Sequence, residues 1–184
     1  WNNNKQAAFD AIEEMGSFLT KNMGFSLDAS CIYIPYDTAL LPLVYVFNKY
    51  NTKSISIEDL RRLTKVIRFY VVATSLKTRF TEGANSKQSA DKEAIIHAIK
   101  TNAVSELDNS FDKNFSGLDD VTNSGAKGKI IICIQNENNL KDPLTNTNIS
   151  LSDKHEIHHI FPKEILKSWG ENKKNNVNHI SNLM

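Results

Sequence analysis

The spacing of apolar side chains over the first hundred residues constrains this chain more than any other feature of its sequence. Ala8, Phe9, Ile12, Met15, Phe18 and Leu19 recur at intervals of three and four across residues 5 to 21, the period that lines up one face of a helix. Residues 25 to 34 contain alternating and β-branched residues, and Pro35 punctuates them. Residues 39 to 47 then form a long apolar run, too apolar for a helix lying on the surface. Ser56 followed three residues on by Asp59 makes a capping-box-like start with Asp in place of the usual Glu. The helix it opens is expected to end near Lys77. Residues 87 to 99 interleave charged residues with Ala94, Ile95, Ile96, Ala98 and Ile99, a further amphipathic helix, and residues 104 to 115 read as another. A mostly helical body over residues 1 to 120 follows.

The texture then changes. Gly117, Asp119, Asp120, Asn123, Ser124, Gly125 and Gly128 crowd into one short polar stretch, the best boundary in the chain. Residues 129 to 134 are a short β-branched run that fits a strand or a buried helix equally. Residues 136 to 148 are a polar, Asn-rich connector around Asp142-Pro143. Residues 149 to 151 and 156 to 160 are short and β-prone, separated by Ser152-Asp153-Lys154, so a tight hairpin is expected with His158 and His159 on its second strand. Pro162 ends that strand, residues 163 to 169 read as a short helix or turn, and residues 177 to 183 alternate. The fold class is therefore α+β and predominantly α, a helical body followed by a small module in residues 121 to 184.

Apolar residues make up 40% and charged residues 23% of the chain, the balance of a globular protein rather than a disordered one. No apolar segment reaches the length that spans a bilayer, so no membrane partner is expected. The chain opens at Trp1-Asn2-Asn3-Asn4 with neither an initiator Met nor a basic-then-apolar leader, and it reads as a piece of a longer protein. With a formal net charge of +1, any contact with nucleic acid must come from a local patch. Arginine occurs only at Arg61, Arg62, Arg68 and Arg79. Cys31 and Cys133 form no C-x-x-C pair, which removes the common structural zinc signature and any disulfide framework and makes a reducing cytoplasm the expected location.

The adjacent His158 and His159 carry the chemistry. Neighbours on a strand point to opposite faces, so both serve one site only where the backbone twists or bulges. Neutral imidazole accepts a proton near pH 7 and suits a general base that activates water. Glu156-Ile157-His158-His159-Ile160-Phe161-Pro162-Lys163 resembles the H-x-x-P signature of the HNH-like C-terminal nuclease domain in GmrSD-type, modification-dependent restriction endonucleases. Asn178-His179-Ile180-Ser181-Asn182-Leu183 is similar to the Asn-Leu element that follows in such domains. Upstream, Ile34-Pro35-Tyr36-Asp37-Thr38-Ala39-Leu40-Leu41-Pro42-Leu43 and Ile67-Arg68-Phe69-Tyr70 through Arg79-Phe80 resemble the helical region that links this family's NTP-binding domain to its nuclease.

The resemblance implies a ββα-metal fold for the C-terminal module. It assigns His159 as general base, His158 to the metal-ligand position where many relatives hold Asp or Glu, and Asn182 to the middle Asn that ties the loop together. It further implies a divalent cation, with Mg²⁺ the expected ion, DNA, including modified DNA, as substrate, and an NTP-binding domain in the same parent chain or a partner subunit. It would also make residues 129 to 136 helical. The family's last helix, with a further His or Asn, is expected beyond Met184, so the module is expected to be truncated there; His155 and His179 are only neighbours of the site.

Lys163, with Lys167, Lys173 and Lys174 nearby, is a candidate phosphate contact, against a plain solvated loop. Arg79 is a candidate nucleic-acid contact through the family's Arg-aromatic pattern, against a salt bridge that holds the helical body together. His97 is expected to be a helix-face residue, and Phe69, Tyr70 and Phe80 core. Two functions from different classes follow: a DNA endonuclease domain of a restriction or defence system, or a non-catalytic DNA-binding or assembly module with a degenerate HNH fold.

Overall fold

A computed structural model of the chain describes residues 2–23, 37–50, 52, 54–109, 111, 121, 125–137, 141 and 145–147. These residues form six α-helices and two short 3-10 turns, with no strand among them. The helices are α1 (Asn2–Met23), α2 (Leu40–Lys49), α3 (Ile57–Leu76), α4 (Ala84–Thr101), α5 (Val104–Asn109) and α6 (Ala126–Glu137). The 3-10 turns, Asp37–Ala39 and Arg79–Thr81, precede α2 and α4. No helix among the described residues is long and apolar enough to cross a membrane.

The three-and-four spacing in α1 buries Ala11, Met15, Phe18, Leu19 and Met23. α1 packs on α2, where the Phe18 and Phe47 rings meet at 5.2 Å and tilted by 60°. Glu14 Oε1 accepts both the backbone N–H and the hydroxyl of Thr52, which pins the stretch between α2 and α3 to α1.

Of the expected α1 stripe, Ala8, Phe9 and Ile12 are exposed, and the apolar run of α2 departs from expectation as well. Pro42, Leu43, Val46 and Phe47 are buried, but Leu41 is 62% and Tyr45 39% exposed. The helix packs on α1 and α4 from one side and turns its other side to solvent, where the Lys92 ammonium lies 5.0 Å over the Tyr45 ring. Pro42 sits in the first turn, where its missing N–H costs least. The Thr38 carbonyl, four residues back, accepts instead from Gln88 Nε2 of α4 at 2.9 Å.

α3 packs on α4, α5 and α6. Ser56 caps it as the sequence indicates, its Oγ accepting from the Asp59 N–H at 3.1 Å. The reciprocal bond is altered, because Ser56 Oγ donates to Asp59 Oδ2 at 2.8 Å. Leu63, Val66, Ile67, Tyr70 and Val71 are buried, each aliphatic one contributing about 1.5–3 kcal/mol of burial. The buried Thr74 and Ser75 hydroxyls donate back to Tyr70 O at 2.8 Å and Val71 O at 2.6 Å, so neither is left unsatisfied.

The ambiguous β-branched run of residues 129 to 134 is helical, inside α6. Tertiary packing decides it. α6 lies against α3 and α1, and Ile130 and Cys133, one turn apart, join the same hydrophobic core as α1 to α5. The polar stretch before α6 is thus followed by a helix that returns to the body. Of the helix expected over residues 104 to 115, the structure describes α5 and then Phe111, whose N–H donates to Asp108 O at 3.1 Å. The expected hairpin over residues 149 to 160 lies outside the described residues.

Candidate functional site

Charge enters the interior of the described body at one place, the turn between α3 and α4. α3 ends at Lys77, and Thr78 takes a left-handed conformation with φ 48°, an unusual state for a β-branched residue. It redirects the chain into the Arg79–Thr81 turn, and a second left-handed residue, Gly83 at φ 61°, opens α4. The result carries Arg79 back against Asp91 of α4.

Both side chains are buried. Arg79 Nε donates to Asp91 Oδ1 and Oδ2 at 3.0 Å each, and Nη2 donates to Oδ1 at 2.6 Å. Tyr70 Oη of α3 donates to Asp91 Oδ2 at 3.2 Å. Burial first, and then the neighbouring Asp91 charge and hydrogen bond, hold the Tyr70 phenol far above its ordinary range, so it stays protonated and donating. Arg79 Cζ lies 4.5 Å and Lys77 Nζ 5.5 Å from the centroid of the Phe111 ring, close enough for both cations to interact with its π system. Lys77 Nζ in turn donates to Asp108 Oδ1 at 2.5 Å, and Lys87 Nζ to the Arg79 carbonyl at 3.0 Å.

This network ties α3, the turn, α4 and the segment after α5 into one body. Its chemistry is that of a clamp. Asp91 is sealed from solvent and engaged by two partners, so it cannot reach a substrate as base or ligand. A phosphate approaching Arg79 would have to displace Asp91 from the same nitrogens and lift Phe111 off the guanidinium face. In this arrangement Arg79 carries the ion pair that its sequence left open as the alternative to a phosphate contact.

His97 is exposed on α4 with Nε2 2.9 Å from Glu106 Oε2. Tyr70 and Phe80 are buried and Phe69 packs against the core, as expected of aromatic residues with apolar neighbours. Among the described residues no group of three His, Cys, Asp or Glu side chains converges as a metal site requires. His158, His159, Lys163 and Asn182 lie outside the described residues, as do His155 and His179.

Sequence reasoning passed over Asp91. Its signal was present: Asp91 falls on the stripe of Ile95, Ala98 and Ile99 at helical spacing, and a charge within an apolar stripe needs a buried partner. The chain matches no protein-family model, no curated protein and no solved structure.

Proposed function

We propose that the chain belongs to an HNH-type DNA endonuclease of a restriction or defence system, hydrolysing phosphodiester bonds with the help of a divalent cation. The observation that carries the reading is the two-part motif, His158-His159-Ile160-Phe161-Pro162 followed by Ser181-Asn182-Leu183. In this reading His159, as neutral imidazole, takes the proton from the attacking water. His158 holds the cation, with Mg²⁺ the expected ion, which when bound neutralises charge on the phosphate and the departing oxygen. Asn182 ties the site's loop together by hydrogen bonds, and Lys163 contacts a flanking phosphate. The helical body is the mount for this module, with an NTP-binding domain supplied by the same parent chain or a partner subunit. The substrate is DNA, modified DNA included.

Single-turnover cleavage of modified and unmodified duplexes by the intact protein with Mg²⁺ tests this. His159→Ala is expected to slow cleavage by roughly a hundredfold or more, the usual scale of general-base loss, with DNA affinity and melting temperature largely kept. Undiminished cleavage by a well-folded His159→Ala protein would end the general-base assignment. Binding without any cleavage by the wild type would favour the non-catalytic DNA-binding or assembly module.

A further inference from the structure

We propose that the chain pairs with a second copy of itself through the first turns of α1, in an antiparallel contact centred on Phe9 that sets Lys5 of each copy against Glu13 of the other. The pairing is independent of the nuclease reading.

α1 carries its apolar stripe further than the body follows it. Ala11, Met15, Phe18 and Leu19 are buried. Ala8 stands three and seven residues before Ala11 and Met15, and Ile12 three and seven before Met15 and Leu19, so both continue the same face. Yet every residue from 5 to 10 is exposed, and Phe9 and Ile12 are 61% and 45% exposed. A lone apolar side chain in water is ordinary. Two large ones a turn apart, on the continuation of a core stripe, form a ridge that burial against a partner would stabilise.

The charges beside this ridge specify its partner. Lys5 and Glu13 stand four residues either side of Phe9, each about 40° round the helix from it in opposite senses. Both are exposed. Neither has an opposite charge three or four residues away along α1, so pairing within the helix does not account for them. Asp10, the other acid near the ridge, lies about 100° round from Phe9 and accepts from Gln6 Nε2 at 2.8 Å. A helix that carries a cation, an aromatic ring and an anion at equal steps is its own complement when turned end for end. A twofold axis at Phe9 brings the two rings together and opposes Lys5 to Glu13 twice, the isologous pattern of a C2 contact. A parallel pair would instead set Lys5 against Lys5 and Glu13 against Glu13. From Lys5 to Glu13 the helix rises only about 12 Å, short of a standard interface, so the dimer is expected to be weak and reversible.

Sedimentation equilibrium of the intact chain over a range of concentrations reads the association directly. Wild type is expected to show a reversible monomer–dimer equilibrium that weakens as salt rises. Phe9→Ser should remove it. Lys5→Glu and Glu13→Lys should each weaken it by roughly tenfold, because two attractive pairs become two repulsive ones. The double change Lys5→Glu, Glu13→Lys should restore the wild-type association, and mixing the two single variants should give a heterodimer tighter than either homodimer. All three side chains are exposed, so helical circular dichroism and the melting temperature of the dilute protein are expected to match wild type in every variant. A wild type that stays monomeric up to about 1 mM, or a dimer that survives Phe9→Ser, would overturn the proposal. So would single reversals that associate as tightly as wild type, the behaviour of a parallel pair or of another surface, or a double reversal no tighter than the singles.

Discussion

Arg79 and Asp91 are stable in the interior only as a pair. Removing the carboxylate strands a guanidinium without its anion, and Tyr70 loses its acceptor. Asp91→Ala is therefore expected to destabilise the protein by about 3–5 kcal/mol, whereas the double change Arg79→Met, Asp91→Leu should recover most of that loss, because apolar side chains of similar volume replace a buried pair at little cost. Urea unfolding of the three proteins reads both effects, and a single variant within experimental error of wild type would show that the pair does not hold α4 to α3. At this scale the sequence was half legible. Asp91 stands in a visible apolar stripe, so its need for a partner can be read. Which cation answers it cannot, because the left-handed residues Thr78 and Gly83 that turn Arg79 toward it follow from local backbone geometry and not from periodicity.

The capped start of α3 shows how an element can be specified by a few atoms. Ser56→Ala removes the hydroxyl that accepts the Asp59 N–H and donates to the Asp59 carboxylate. A loss of about 1 kcal/mol is expected, with only a few tenths for Ser56→Gly, read as shifts in thermal unfolding. Equal losses in the two variants would point to something other than capping. The spans of α1, α3 and α4 were legible for the same reason as this cap: three-and-four spacing and terminal chemistry are local signals. The run at Ile130, Ile131 and Ile132 has no spacing of its own, and only contact with α3 and α1 decides for a helix. The apolar composition of α2 misled in the other direction, since Leu41 and Tyr45 face solvent although nothing in their own segment marks them as outer positions. The histidine motif was legible as residues, and its geometry falls outside the described part of the chain.

Because α6 shares the core of the body, the described molecule is expected to unfold as one unit. Ile130→Ala opens a cavity under α6 and is expected to cost about 2–5 kcal/mol. The whole helical signal should shift to lower temperature in one step. A body that melts as before, with a separate early transition for α6, would instead place a thermodynamic boundary within the polar stretch near Gly125. Cys133 is 1% exposed, one turn along from Ile130, and this gives the fold an internal clock. A thiol reagent too large to enter the core can alkylate it only during the moments when α6 has left α3. With Cys31 replaced by Ser, the pace of that reaction measures how often the core beneath α6 opens, and a pace equal to that of global unfolding is expected if α6 leaves only with the rest of the body.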